Sequence, residues 1–284
     1  MKIYYYHLIM SEDKYDLNNI VINIFDDTIR WLKDNNIGIG KLSLSIIGTT
    51  ESLQQKYRKD KINEYVGGLY ESKTNKIHII KSELEKDINE KINDPNKIFI
   101  GNLFTIKHNG ILWPVYKNND DIEKIIIKAA VEPIVIHEIG HHMVGQGNWK
   151  ACAFEFLVYF YKNELHRYPE VYEIMKKNIE ICDEYIKKKD QSSPYSLGSH
   201  LSPYALGSCF ANDIIYIYGN ISNKDKESPK INIKDIIEKL KFISENDGID
   251  STIVINTLLK TNEGYTDINK IIYTLIKTLM LLYQ

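Results

Sequence analysis

His137-Glu138-Ile139-Gly140-His141 lies inside an apolar run over residues 129–144, and this stretch decides how the chain can fold. On an α-helix, side chains four residues apart lie one above the other on the same face. The imidazoles of His137 and His141 can therefore bind one metal ion between them. Glu138 follows about 100° further around the helix, where it lies beside the metal without binding it. Such a helix is typical of a site in which a carboxylate acts as general base on a metal-activated water.

The next apolar run, WKACAFEFLVYFY over residues 149–161, contains a single carboxylate, Glu155. A carboxylate in such surroundings is costly to bury unless it is paired or bound to a metal. Catalytic zinc is commonly bound by two histidines and one glutamate, which leaves a fourth position for water. We therefore expect His137, His141 and Glu155 to bind Zn²⁺. The alternative places Glu155 on the solvent side of its helix, with Glu164 as the reserve ligand.

Composition and charge exclude several classes of function. The chain has 284 residues and a formal net charge of −2, with lysines scattered along it. Neither a nucleic acid nor an anionic membrane is therefore expected as a partner. No stretch reaches the roughly 18–20 uninterrupted apolar residues of a membrane span, and the first ten residues are too short and polar for a secretory signal. No pattern indicates an oligomeric state.

The cysteines bear on the cellular compartment. Cys152, Cys182 and Cys209 are odd in number and far apart along the chain. This spacing matches neither a disulfide framework nor a Cys-x-x-Cys zinc site, and we expect no disulfides. A reducing compartment, and hence a cytoplasmic location, follows from that expectation.

Hydrophobic periodicity before the motif predicts helices and strands in one mixed α+β layer with a small sheet. The predicted elements are a helix over 17–32, a strand over 42–47, a hairpin over 69–80 turning at 73–75, a helix over 82–92 and strands within 98–112. Asn109-Gly110 is typical of a tight turn between two strands. The motif helix should begin after residues 118–121 and end at Gly145. Pro133 predicts either a kink in that helix or the start of a new one.

Beyond the motif the chain is predicted to be helical. The expected helices cover 149–161, 171–188, 204–218, 233–243, 251–259 and 267–282. The fold class is accordingly α+β. We expect an N-terminal α/β subdomain over 1–147, which ends in the motif helix, and a helical C-terminal subdomain over 148–284, which carries the glutamate helix.

The motif and the helix that bears Glu155 together resemble the zincin metallopeptidases, specifically the gluzincin branch that includes thermolysin and the oligopeptidases. The resemblance covers residues 42–161, about two fifths of the chain. The chain departs from many relatives in two respects. The interval of 14 residues from His141 to Glu155 is short, and Phe154 precedes Glu155 where the family often has asparagine.

This resemblance implies a zinc-dependent peptidase. It implies a small sheet above a cleft, zinc on the floor of the cleft and a mostly helical lower subdomain. Glu138 would act as general base on the attacking water and pass the proton to the leaving amine. The substrate would be a peptide or protein, and Zn²⁺ the cofactor.

Substrate-binding residues are also implied by the resemblance. The segment over residues 67–80 resembles the edge strand that binds extended substrate above a zincin cleft, which assigns Gly68, Leu69 and Tyr70 to substrate binding. His78 lies in the same segment, although an ordinary position in an edge hairpin explains it better. His142 follows the motif by one residue and lies off the face of the two ligands, so we interpret it as a group at the helix end or behind the ligands. His7, His108 and His166 form no recognisable constellation in the sequence.

A tyrosine is expected to complete the site. Residues 193–199 and 202–208 form a repeated Ser-Pro-Tyr-x-Leu-Gly-Ser segment, punctuated by proline and glycine. It resembles the loops by which oligopeptidases bring a phenol to the substrate, where a hydrogen-bond donor stabilises the oxyanion. Tyr204 is the favoured donor, ahead of His200 and Tyr195. Alternatively, Tyr204 packs as an ordinary tyrosine at the start of a helix.

Two other classes of function stay open. The chain could be a catalytically weak zincin that uses its cleft to hold a partner protein. It could also be a helical interaction protein in which the motif is accidental, and in that case it would bind no zinc. Substrate specificity, and cleavage within or at the ends of peptides, are not indicated by the sequence.

Overall fold

The structure is a computed structural model that describes residues 15–49, 67–94, 97–118, 121–145, 147–191, 203–224 and 233–242. These residues form an α+β fold with seven α-helices and two three-stranded sheets. The predicted fold class is confirmed at this level. The predicted helices over 251–259 and 267–282 lie outside the described residues.

The first sheet follows helix α1 (Leu17–Asp34) and contains β1 (Ser43–Ile47), β2 (Gly68–Glu71) and β3 (Lys76–Ile80). Their order is β1-β3-β2, with β1 parallel to β3 and β2 antiparallel at the edge. The predicted hairpin is confirmed, and its turn ends at Asn75, which has a φ of 50°. Helix α2 (Lys81–Ile92) continues directly from β3.

The second sheet contains β4 (Phe99–Ile100), β5 (Leu103–His108) and β6 (Ile111–Tyr116), all antiparallel. The tight turn predicted at Asn109-Gly110 joins β5 to β6, with φ values of 47° and 83°. The prediction of one small sheet was wrong, because these strands pair with each other rather than with the first sheet.

Helix α3 (Ile122–Val144) carries the motif through the centre of the molecule. Asp121 caps its N-terminus by accepting a hydrogen bond from the Glu123 N–H, and Gly145 follows its last residue with a φ of 103°. Both predicted ends are confirmed. The helix is continuous through Pro133, so the alternative of a new helix starting there was wrong.

Four further helices follow α3 in the described part of the chain. They are α4 (Asn148–Lys162), α5 (Val171–Gln191), α6 (Pro203–Lys224) and α7 (Ile233–Phe242), with a short 3₁₀ helix at Leu165–Arg167. Helix α4 lies between α3 and α6. Its contact with α6 depends on Gly207, because a Cβ there would lie only 2.1 Å from the Trp149 carbonyl oxygen. One continuous apolar core includes residues from both sheets and from these helices.

Two of the three cysteines are paired. Cys182 in α5 and Cys209 in α6 form a disulfide, with Cα atoms 6.0 Å apart. The expectation that the cysteines would not pair was wrong, since the pairing depends on α5 packing beside α6 and not on sequence spacing. Cys152 is a buried free thiol. Within the described part of the chain, no helix has both the length and the apolar character needed to cross a membrane.

Candidate metal centre and cleft

A cleft of about 570 Å³ lies where the two sheets meet helices α3 and α4. Strand β2 and helix α2 form one wall, and the β5–β6 turn reaches it from the second sheet. His137, Glu138, His141 and Glu155 all line the cleft, as does Tyr204 at the start of α6. The structure therefore brings the predicted metal ligands, the predicted base and the favoured tyrosine to one place.

His137 and Glu155 are in direct contact. Nδ1 of His137 lies 2.9 Å from Oε2 of Glu155, and the Glu155 side chain is fully buried. The alternative of a solvent-facing Glu155 was therefore wrong. Burial lowers the pKa of His137 to about 4, so its imidazole is neutral at neutral pH. Neutral imidazole is the form that binds metals.

Cys152 joins these two residues, which the sequence did not suggest. Its Sγ lies 3.5 Å from Nδ1 of His137, one helical turn before Glu155. Ligand atoms of His137, Cys152 and Glu155 all lie within 4.8 Å of one another, and all three residues are buried. Burial, followed by the charge of Glu155, raises the pKa of the Cys152 thiol well above its usual value.

His141 lies one turn beyond His137 but is not part of this three-residue cluster. The two imidazoles are 4.7 Å apart between ring centroids and almost perpendicular. Nδ1 of His141 lies 3.3 Å from the Gly145 carbonyl oxygen. A hydrogen bond of this kind fixes the tautomer of a metal-binding histidine and makes Nε2 the ligating nitrogen.

Glu138 is buried beneath strand β2. The Tyr70 backbone N–H donates a hydrogen bond to its carboxyl group, while burial and the charge of Glu155 raise its pKa to about 8. Its Oε2 has no hydrogen-bond partner among the described residues. Gly68 lies directly against it, because a Cβ at Gly68 would come within 2.6 Å of the Glu138 Cγ.

His142 connects strand β2 to the motif helix. Its Nδ1 lies 2.9 Å from the Tyr70 hydroxyl, and its Nε2 lies 2.7 Å from the Ile39 carbonyl oxygen. The Tyr70 hydroxyl also lies 2.8 Å from Oδ1 of Asn75 in the hairpin turn. These contacts fix the position of the predicted substrate-binding strand β2 relative to the motif helix α3.

Tyr204 lies over His137, with ring centroids 5.5 Å apart and planes tilted by 23°. It is 37% exposed, and partial burial raises its pKa, so the phenol keeps its proton at neutral pH. The predicted helix from residue 204 is confirmed as α6. Tyr195 and His200, the other candidate donors, lie outside the described residues.

The sequence missed two residues that contact Glu155. His108, judged to belong to no constellation, lies with Nε2 only 2.7 Å from Oε1 of Glu155. Nδ2 of Asn109 lies 3.3 and 3.5 Å from the two Glu155 oxygens. The Asn109-Gly110 turn signal located the tip of a hairpin, but no pattern indicated that this tip would meet residue 155.

Two residues considered in the sequence, His78 and Glu164, do not line the cleft. His78 is fully buried on β3, the central strand of the first sheet, so its assignment to an edge strand was wrong. Only β2 of that hairpin is at the edge. Glu164 is exposed and pairs with Arg167 at 2.7 Å, as expected of a solvated side chain.

Comparisons of the chain with protein-family models, with curated proteins and with solved structures gave no match.

Proposed function

We propose that this protein is a zinc-dependent metallopeptidase of the zincin type, close to the gluzincin branch. The observation that supports the proposal is the meeting of four separate elements in one cleft. They supply two histidines from α3, Glu155 from α4, the edge of β2 and the phenol of Tyr204. An accidental motif gives no reason for the other three elements to meet there.

The donor set fits zinc. His137, His141 and Glu155 are the proposed ligands, in the two-histidine, one-glutamate combination of catalytic zinc sites. The imidazole of His137 is neutral, which is the form that binds a metal, and Glu155 would bind as the carboxylate. Zinc held there would activate a water molecule and polarise the carbonyl of the scissile bond.

Glu138 is the proposed general base. Its carboxylate would take a proton from the attacking water and pass it to the leaving amine as the peptide bond breaks. Burial and the charge of Glu155 raise the pKa of this carboxyl group, which would help it hold the proton until the amine leaves. The Tyr70 N–H and Gly68 hold the carboxyl group in place.

The substrate is proposed to lie along β2 as an additional strand. Among the described strands, β2 pairs only with β3, and its other edge faces the cleft. The Tyr70 N–H at that edge donates to Glu138, so an extended peptide would bind the remaining backbone groups. Gly68, Leu69 and Tyr70 are the residues at this edge. Tyr204 would donate its hydroxyl hydrogen to the oxyanion that forms during attack.

The proposal is tested by turnover of a mixed peptide library, with cleavage sites mapped by mass spectrometry. Cleavage should disappear on chelation and return with Zn²⁺. Glu138→Gln should lower turnover by about 10³-fold or more while zinc content is retained, since only proton transfer is lost. His137→Ala should lose zinc. Bound zinc without any turnover would favour a partner-binding zincin, and no zinc would favour an interaction protein.

A closed, non-catalytic metal centre is the second candidate, and Cys152 is the observation that favours it. A thiolate in contact with His137 could occupy the position that a catalytic site keeps for water. Cys152→Ser distinguishes the two. A peptidase site should keep its zinc and activity in this variant, whereas a closed centre should bind zinc much more weakly. Cobalt substitution adds a second criterion, because only a thiolate ligand gives an intense near-ultraviolet charge-transfer band.

The cellular location is proposed to be cytoplasmic on the sequence features alone. The Cys182–Cys209 disulfide argues in the other direction, because disulfides persist mainly in oxidising compartments. Thiol titration of the denatured, unreduced protein isolated from its source tests this. Three free thiols would support a reducing compartment, and one would support an oxidising compartment.

A further inference from the structure

We infer that His108 and Asn109 are positioning residues that orient the Glu155 carboxylate for metal binding. The inference rests on the proposed function, since it assigns these two residues a role toward the zinc site. Neither is a metal ligand in this account. They act by contacting the Glu155 carboxylate so that its Oε2 faces His137.

The two oxygens of the Glu155 carboxylate have different histidine partners. Oε1 lies 2.7 Å from Nε2 of His108, whereas Oε2 lies 2.9 Å from Nδ1 of His137. Nδ2 of Asn109 spans both oxygens at 3.5 and 3.3 Å. The terminal torsion of a glutamate side chain is broad, so a free carboxylate would sample many orientations. The contacts to His108 and Asn109 select one of them.

The backbone fixes the two positioning residues. His108 is the last residue of β5, paired with Ile111, and Asn109 occupies the first turn position with a φ of 47°. Asparagine tolerates this left-handed conformation better than most residues, and the following Gly110 has a φ of 83°. A two-residue turn allows little variation in where its side chains point.

The hairpin and the glutamate helix are also one packed unit. The His108 ring meets the Trp113 ring edge-on at 4.9 Å. Trp113 in turn packs against Phe156 and Tyr159 of α4, at 4.7 and 4.8 Å between ring centroids. The donor on β5 and the carboxylate on α4 are therefore held by the same aromatic cluster, which fixes their separation.

Zinc affinity of two His108 variants tests this inference. His108→Leu fills the space beside Trp113 without a donor, and His108→Gln keeps a side-chain N–H. Competition with a chromophoric chelator should show a zinc Kd about 10–100-fold weaker for His108→Leu, the usual effect of losing an outer hydrogen-bond partner. His108→Gln should recover most of the affinity. Asn109→Gly, which permits the positive φ, should give a smaller loss.

A spectroscopic measurement distinguishes a change in the orientation of the Glu155 carboxylate from a change in side-chain packing at residue 108. The visible spectrum of the Co²⁺-substituted protein should change in His108→Leu and return toward the wild type in His108→Gln. His166→Ala, which replaces an exposed histidine of the 3₁₀ helix, is the matched control. It should change neither the zinc Kd nor the cobalt spectrum. Circular dichroism and thermal melting report whether each variant is folded.

The outcomes distinguish this inference from the proposed function. If the wild type binds zinc and His108→Leu binds it equally well with the same cobalt spectrum, the positioning role is wrong while the peptidase proposal stands. Equal losses of zinc affinity in His108→Leu and His108→Gln would also contradict the positioning role. The loss could then not be assigned to the hydrogen bond to Glu155. A wild type that binds no zinc would overturn the proposed function and this inference together.

Discussion

The two three-stranded sheets reach the same cleft in different ways. The first presents a strand edge, with β2 lying over Glu138 and no further described strand paired with it. The second presents a turn, whose residues His108 and Asn109 contact Glu155. At its β6 edge, the Asn178 amide pairs with both the N–H and the carbonyl oxygen of Leu112 at 2.8 Å.

This difference separates two tasks of the proposed site. A strand edge offers unpaired backbone groups and can bind substrate. A turn anchored by an aromatic cluster can fix one side chain in place. Changes near β2 should therefore alter catalysis and substrate binding, whereas changes behind the second sheet should alter stability and metal affinity. The following predictions test this separation.

Gly68→Ala should have the largest effect. An added Cβ would lie 2.6 Å from the Glu138 Cγ and displace the proposed base. We expect kcat/KM to fall by about 10²-fold with zinc content unchanged, as for other small displacements of catalytic groups. Steady-state kinetics and metal analysis measure the two quantities. Gly38→Ala is the control, since nothing lies within 4 Å of a Cβ at that position.

Asn178→Ala should destabilise the second sheet. The variant leaves the Leu112 N–H and carbonyl without their partner, at a cost of about 2 kcal/mol in the free energy of unfolding. Denaturant titration measures this cost. Asn93→Ala removes an exposed amide with one backbone contact and should cost no more than about 0.5 kcal/mol. Equal costs in both variants would contradict the anchoring role of Asn178.

Asp213 should make the stability of the protein depend on pH close to the contact between Asn178 and the second sheet. Asn178 donates to Asn212, the neighbour of Asp213, and burial raises the Asp213 pKa from 3.8 to about 8. The folded state therefore keeps a proton that the unfolded state releases between these values, so stability should fall as pH rises from about 4 to 8. We expect Asp213 to contribute a slope of about 1 kcal/mol per pH unit, so the profiles of wild type and Asp213→Asn should diverge by about this amount. Denaturant titrations at pH 5, 6.5 and 8 measure it, and parallel profiles would contradict the assignment.

His142→Phe should have the smallest effect and should act on the first sheet only. It removes the hydrogen bonds to the Tyr70 hydroxyl and the Ile39 carbonyl while keeping a ring in place. We expect KM to rise roughly threefold, as for the loss of one or two partly buried hydrogen bonds, with kcat unchanged. Tyr70→Phe should also raise KM and leave kcat unchanged. A drop in kcat equal to the rise in KM would show that His142 affects the base and not the strand.

Features that depend on nearby residues could be predicted from the sequence. The motif places His137 and His141 on one face through their spacing alone, and the apolar neighbours of Glu155 indicated its burial. The N-cap at Asp121 and the turn at Asn109-Gly110 likewise depend on local chemistry. These signals act within a few residues, where backbone geometry leaves little choice.

Features that depend on packing could not be predicted. His108 and Glu155 are 47 residues apart, and their contact exists only because Trp113 packs on α4. The same holds for the Cys182–Cys209 disulfide and for the division of the strands into two sheets. No sequence pattern linked Cys152 to the motif, yet its neighbours in space are His137 and Glu155.

The most direct test of the central claim is zinc stoichiometry measured with peptide cleavage in the wild type and in Glu138→Gln. The account predicts about one zinc per chain in both proteins, as two histidines and one glutamate hold a single ion, with cleavage only in the wild type. Cleavage that persists in Glu138→Gln, or a wild type without zinc, would contradict it.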